Sequence, residues 1–162
     1  MEKLAKTTEK AHVKVDMNLM LLAAAFTVFT FIGAVNPDLL KNNVLLSAQL
    51  TLAIPFLSSS TFARSKLIAY EKAAETWELY GFFTFIFGYA FLVNAIGLML
   101  SDFTRPSIGI VFWILNIISA VFYSALEISE HEATFWSRAF KDALFTLIIV
   151  FGGILPVLKV LH

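Results

Sequence analysis

Six side chains carry the one grouping with the chemistry of a metal site. Glu71, Glu75 and Glu78 recur at helical spacing on one face, and Glu127 and His131 stand four apart with Glu130 adjacent. Carboxylates and an imidazole from two helices form a donor set suited to zinc, manganese or a di-metal centre. The ferritin-like E-x-x-H spacing is absent, because position 128, three before His131, is Ile. Lys66, Lys72, Arg138 and Lys141 lie in the same two stretches and supply the counter-charge that solvated helices use in salt links. The plainer chemistry is therefore expected: a polar cluster with no metal and no cofactor.

A second set lies inside apolar sequence. Gln49, Asn94, Asn116 and Thr27 are uncharged polar residues surrounded by hydrocarbon side chains. An unpaired amide costs several kcal/mol in hydrocarbon, so each must find a partner or water. Gln49 and Asn94 each sit seven residues from one end of their apolar runs, on antiparallel segments. At 1.5 Å per residue both are roughly 10 Å deep, and Asn116 and Thr27 are roughly 15 Å deep. Two outcomes are open: a polar path facing a pore, or hydrogen bonds between helices that fix their register. A bond between Gln49 and Asn94 is the cheapest closure, with Asn116 and Thr27 extending it.

The elements that position these residues are spanning helices. Leu79 to Ser101 runs for 23 residues without a charge. That is roughly 34 Å of helix, enough to cross a hydrocarbon layer of about 30 Å. Two such runs precede it and two follow. The spans are expected at about 17–35, 42–63, 79–101, 106–126 and 143–160, and the last is the weakest, holding only 16 charge-free residues from Ala143 to Leu158. A re-entrant segment is the alternative there. The run from Met17 to Pro37 exceeds a signal-peptide core and lacks an A-x-A close, so it reads as a span. Asn36-Pro37-Asp38 breaks the first span into a turn. Pro55 predicts a kink in the second, with hydroxyls of the Ser58–Thr61 run taking up the freed carbonyl.

Before the first span, Lys3, Lys6, Lys10 and Lys14 share one helical face, which predicts an interfacial amphipathic segment over 1–16. Two 16-residue connections, Ala63–Glu78 and Glu127–Asp142, read as short amphipathic cytoplasmic helices that lie along the membrane or extend the spans. Glu71-x-x-Ala74-x-x-Trp77 matches Glu130-x-x-Ala133-x-x-Trp136, a hint that spans 2–3 and 4–5 are copies of one hairpin. With the N-terminus inside and five crossings, nine Lys and Arg fall on the cytoplasmic side and three on the other. This satisfies the positive-inside rule and puts the C-terminus outside.

Composition agrees. The chain of 162 residues is 59% hydrophobic and 15% charged, with mean hydropathy +0.79, where soluble domains carry about 25% charge. Zero net charge implies no nucleic-acid partner. The sequence contains no cysteine, which removes thiolate metal sites, iron–sulfur ligation and cysteine nucleophiles. No span holds Asp, Glu, Lys, Arg or His in its interior, which argues against proton relays, voltage sensors and side-chain-coupled pumps. There is no P-loop, no haem-binding His pair and no TVGYG filter.

The expectation is thus an all-α polytopic integral membrane protein, a five-helix transmembrane domain over 17–162. Its first functional reading is a non-catalytic subunit that assembles with itself or other membrane subunits in the bilayer. The alternative is a homo-oligomeric passive channel for a small solute. The third is a membrane enzyme or metal-binding protein that uses the Glu/His cluster.

Overall fold

In a computed structural model the described residues are 2–69, 74–130 and 135–160, with side chains described over 11–68, 75–129 and 135–159. All of the regular structure among them is helical. The elements are α1 (Glu2–Val35), α2 (Pro37–Asn42), α3 (Val44–Ala69), α4 (Ala74–Phe103), α5 (Pro106–Glu130) and α6 (Phe135–Ile149). A π turn (Val150–Ile154) then leads into α7 (Leu155–Val160). Five stretches are long and apolar enough to cross a bilayer: Ala11–Val35, Val44–Ile68, Glu75–Phe103, Pro106–Ser129 and Phe135–Lys159.

The helices run further than the apolar runs alone indicate. The lysine-bearing segment expected over 1–16 joins the first span in one unbroken helix. The described parts of both long connections belong to α3, α4, α5 and α6, so among the described residues they are extensions of the spans and not separate short helices. Their charged residues do not end the helices, and three ion pairs between helices (Lys14–Glu78, Arg64–Glu78 and Glu127–Arg138) lie in these extensions.

The expected turn at Asn36 is a short helix. Asn36 Oδ1 accepts the Leu39 N–H at 3.3 Å, and Pro37 takes the first helical position, where its missing N–H costs nothing. Asn43 then starts α3: its Oδ1 accepts the Leu46 N–H at 2.9 Å while its Nδ2 donates to Asp102 at 2.7 Å. One side chain thereby caps α3 and ties it to the end of α4.

α3 passes through Pro55 as one helix. The hydroxyls expected to compensate are placed wrongly for that task. Proline frees the carbonyl four residues earlier, at Thr51, whereas Ser and Thr bond back to carbonyls three or four before themselves. Thr61 accordingly donates to Leu57 O at 2.9 Å, and Ser60 donates across to Gly81 O at 2.9 Å.

α4, which carries the long charge-free run, is the helix on which the others pack. α3 lies closely along it, because Gly88 leaves no Cβ to push Leu57 away: one there would come within 2.9 Å of the Leu57 backbone N. α1 rests on α3, while α5 and α6 rest on the other side of α4. The core joins Ile32, Leu50, Val93, Trp113, Phe145 and Ile149. Trp113 fits a notch made by two glycines, since a Cβ at Gly97 or Gly153 would fall 2.2 and 2.6 Å from its ring. In lipid such close fitting, and not burial from water, supplies the cohesion.

Candidate functional site

Three polar groupings and one cleft are candidates. The deepest grouping begins with Pro156. Lacking an N–H, it leaves the carbonyl of Gly152, four residues earlier, without its helical donor. The backbone widens into the π turn there, and the Leu155 N–H reaches back five residues to Val150 O. Gln49 on α3 fills the vacancy, its Nε2 donating to Gly152 O at 2.9 Å. Asn94 on α4 donates through Nδ2 to Gln49 Oε1 at 3.3 Å and to Ile148 O at 3.0 Å. The two amides meet, and together they splint the widened helix. Both are buried. A Cβ at Gly152 would come within 2.6 Å of both amide nitrogens, so a larger residue would block their access to the strand of carbonyls. Asn94 Oδ1 and Trp113 Nε1, both beside Gly153, have no hydrogen-bond partner among the described residues.

Asn116 and Thr27 do not join them. Thr27 is exposed and donates to Ala23 O of its own helix at 2.9 Å. Asn116 Nδ2 likewise donates to Phe112 O at 2.9 Å, and its Oδ1 receives only a 3.5 Å contact from the Tyr89 hydroxyl. Depth brought these four residues to notice, but a carbonyl one turn back satisfies Thr27 and Asn116 locally.

The second grouping lies at the end of the bundle that bears Arg64 and Glu78. Asn18 donates to Ser60 Oγ at 2.9 Å, which in turn donates to Gly81 O, so three helices are laced by two buried side chains. One turn further out, Glu78 faces Lys14 at 3.7 Å and the buried Arg64 at 3.9 Å. Asn18 stands at the start of an apolar run, one turn after Lys14, where the sequence alone reads it as part of the polar border of the span.

The third grouping joins α5 to α6. Glu127 pairs with Arg138, and Lys141 donates to Ser124 Oγ at 3.0 Å. Both cations approach the Tyr123 ring, Arg138 at 5.9 Å and Lys141 at 5.4 Å from its centroid. Of the expected Glu/His cluster, Glu75 is exposed, Glu78 turns to α1 and α3, and Glu127 turns to Arg138. Glu71, His131 and the Glu130 side chain lie outside the described residues. Among the described residues no three His, Asp or Glu converge on a point where a metal would sit.

The cleft occupies about 520 Å³ between α1 and the α5–α6 pair, with α4 as its floor. Met17, Met20 and Leu21 form one wall, and Tyr89, Asn116 and Lys141 supply polar atoms to the others.

These features define a class: an all-helical chain with five helices suited to a bilayer, its interior polar groups directed at one another. No known protein family matches the chain, and no curated protein or solved structure is similar enough to it to count as a match.

Proposed function

We propose that this chain is a non-catalytic membrane subunit, inserted with its N-terminus in the cytoplasm and its C-terminus outside. The observation that supports this reading is the closure of the deep amides. Asn94 donates to Gln49 and to the carbonyl of Ile148, and Gln49 donates to the carbonyl of Gly152. A solute path needs polar groups turned toward a shared lumen, and these are turned into the contacts of one bundle. The nine basic residues assigned to the N-terminal side, against three on the other, favour the orientation. Broad apolar faces on α1 and α5, such as Phe26, Phe29, Ile114, Leu115, Ile118 and Phe122, are open to lipid or to neighbouring subunits.

The mass of the particle extracted from native membrane in mild detergent tests the assembly. A multiple of the 18.1 kDa chain, or a complex with other chains, is the expected result. A single copy alone would overturn the subunit reading. Solute flux through vesicles holding the purified chain, above that of empty vesicles, would replace it with the channel.

A further inference from the structure

The cleft between α1 and the α5–α6 pair is bordered by polar atoms whose contacts within the bundle are long or shared. Its wall on α1 is apolar, formed by Met17, Met20 and Leu21. The polar atoms stand at two levels on the opposite side. At the deeper level the Tyr89 hydroxyl has only the 3.5 Å contact to Asn116 Oδ1, far beyond the usual 2.7–2.8 Å or so for a hydroxyl donor. A better acceptor entering the cleft would therefore take that proton. At the upper level are Lys141 and Asp142, whose side chains are 16% and 14% exposed. Lys141 Nζ donates to Ser124 Oγ at 3.0 Å and pairs with Asp142 Oδ1 at 3.3 Å, yet that buried oxygen accepts no hydrogen bond.

The two levels are related by α6. The Phe145 ring stacks on Tyr89 with centroids 5.5 Å apart, and Lys141 precedes Phe145 by one helical turn. The charged level is thus about 5 Å nearer the end of the bundle than the hydroxyl level. The neighbouring charges, Arg138 and Glu127, are already paired. Lys141 and Asp142 face each other as a pair, so the mouth presents one ammonium and one carboxylate with no net charge, which a zwitterion can exchange for its own two charges.

We propose that this cleft binds one zwitterionic glycerophospholipid bearing a primary amine. The Lys141 ammonium faces its phosphate and the Asp142 carboxylate receives its amine. The Tyr89 hydroxyl donates to an ester carbonyl, which in such a lipid lies on the chain side of the phosphate. Met17, Met20 and Leu21 flank the start of the acyl chains, which leave sideways into the bilayer between α1 and α5. An anionic lipid satisfies Lys141 but brings no cation to Asp142, so the site discriminates against it.

The test is native mass spectrometry of the full chain in mild detergent, after equilibration with vesicles of equal parts phosphatidylethanolamine and phosphatidylglycerol. One phosphatidylethanolamine per chain, retained about tenfold over phosphatidylglycerol, is expected from a single hydrogen bond to a charged group. Lys141→Met should lower that retention, and Asp142→Asn should erase the preference. Ser119→Phe, which fills the cleft from an exposed position of α5 and leaves both charges, should lower retention of both lipids with the helical signal unchanged. Equal retention of the two lipids, preference for phosphatidylglycerol, or a preference that survives Asp142→Asn would overturn the proposal. If either charge variant fails to fold, undiminished retention in Ser119→Phe overturns it alone.

Discussion

Pro156 and Gln49 are 107 positions apart, yet their energetics should be coupled through one carbonyl. Gln49→Leu keeps the volume in an apolar setting and removes two bonds, the 2.9 Å bond to Gly152 O and the 3.3 Å bond from Asn94. Hydrogen bonds between helices in a membrane protein average about 0.6 kcal/mol and reach about 1.7 kcal/mol, so the loss should total about 1–3 kcal/mol. Pro156→Ala restores an N–H four residues after Gly152 and returns that carbonyl to its own helix. In the Pro156→Ala background, Gln49→Leu should therefore cost less, by about the worth of one bond, 0.6–1.7 kcal/mol. The effect requires the π turn to close, because in the π register the N–H restored at position 156 would face Phe151 O, five residues back, instead of Gly152 O. If it closes to an ordinary α turn, Gly152 O acquires a donor and moves away from Gln49, and either change reduces the dependence on the amide. Unfolding of the four chains by sodium dodecyl sulfate from mild detergent, followed by helical circular dichroism, gives the cycle. Equal costs of Gln49→Leu in both backgrounds, within the roughly 0.3–0.5 kcal/mol expected of independent sites, would refute the coupling.

The same assay checks the pair of amides: Gln49→Leu with Asn94→Leu should cost less than the two singles added, by about 0.6 kcal/mol for the shared bond, and strict additivity would mean they do not interact. Asn94→Leu alone should be the milder single, because it also removes the buried and unpartnered Oδ1. Gly97→Ala drives a methyl to within 2.2 Å of the Trp113 ring and should destabilise by about 1–3 kcal/mol. Trp113→Phe in that background should recover part of the loss, and no recovery would place the strain elsewhere. Ser60→Ala removes both bonds that lace Asn18 to Gly81 and should cost about 1–3 kcal/mol through the stranded Asn18 amide; an unchanged midpoint would refute that reasoning. For orientation, single cysteines at Asp38 and Glu75 of this cysteine-free chain should differ toward an impermeant thiol reagent on intact cells. Asp38→Cys is expected to label and Glu75→Cys to stay unlabelled until the membrane is opened, and the reverse would invert the topology.

Chain-long apolar runs made the five helices legible, because length and hydropathy are additive along the sequence and need no partner. Their ends were not, since Arg64, Glu78, Glu127 and Arg138 stay helical and make ion pairs that depend on which helices are neighbours. Gln49 and Asn94 could be paired from depth alone, as antiparallel spans place equal offsets at equal heights. That argument fails for Thr27 and Asn116, which have a nearer solution in their own backbone. The Gly152–Pro156 spacing was present in the sequence as a sign of an orphaned carbonyl, and reading it requires only the rule that proline lacks a donor. The helical periodicity of Glu71, Glu75 and Glu78 placed them on one face, but periodicity leaves open what that face meets. In the structure Glu78 meets Lys14 and Arg64, and Glu75 remains exposed.

The placement of polar groups along the bundle orders the functional arguments. At the π turn Gln49 donates to Gly152 O and Asn94 donates to Gln49 Oε1 and Ile148 O, and a Cβ at Gly152 would already intrude on both amides. Such a site is closed to a ligand and serves to hold α3, α4 and the last helix in one register. Nearer the Glu78 end the balance changes. Tyr89 and Asp142 have longer or incomplete contacts, Lys141 is shared between Ser124 and Asp142, and all three border an open cleft of about 520 Å³. Buried polar atoms without good partners are costly in a low-dielectric setting, so the region where they persist beside free space is where an outside molecule gains most by binding. Asn94 Oδ1 and Trp113 Nε1 also lack partners at the deep site, but that site is tightly filled, whereas the side cleft has room for an outside molecule. An encounter with lipid or with another subunit is therefore expected to act through α1, α5 and the first turns of α6.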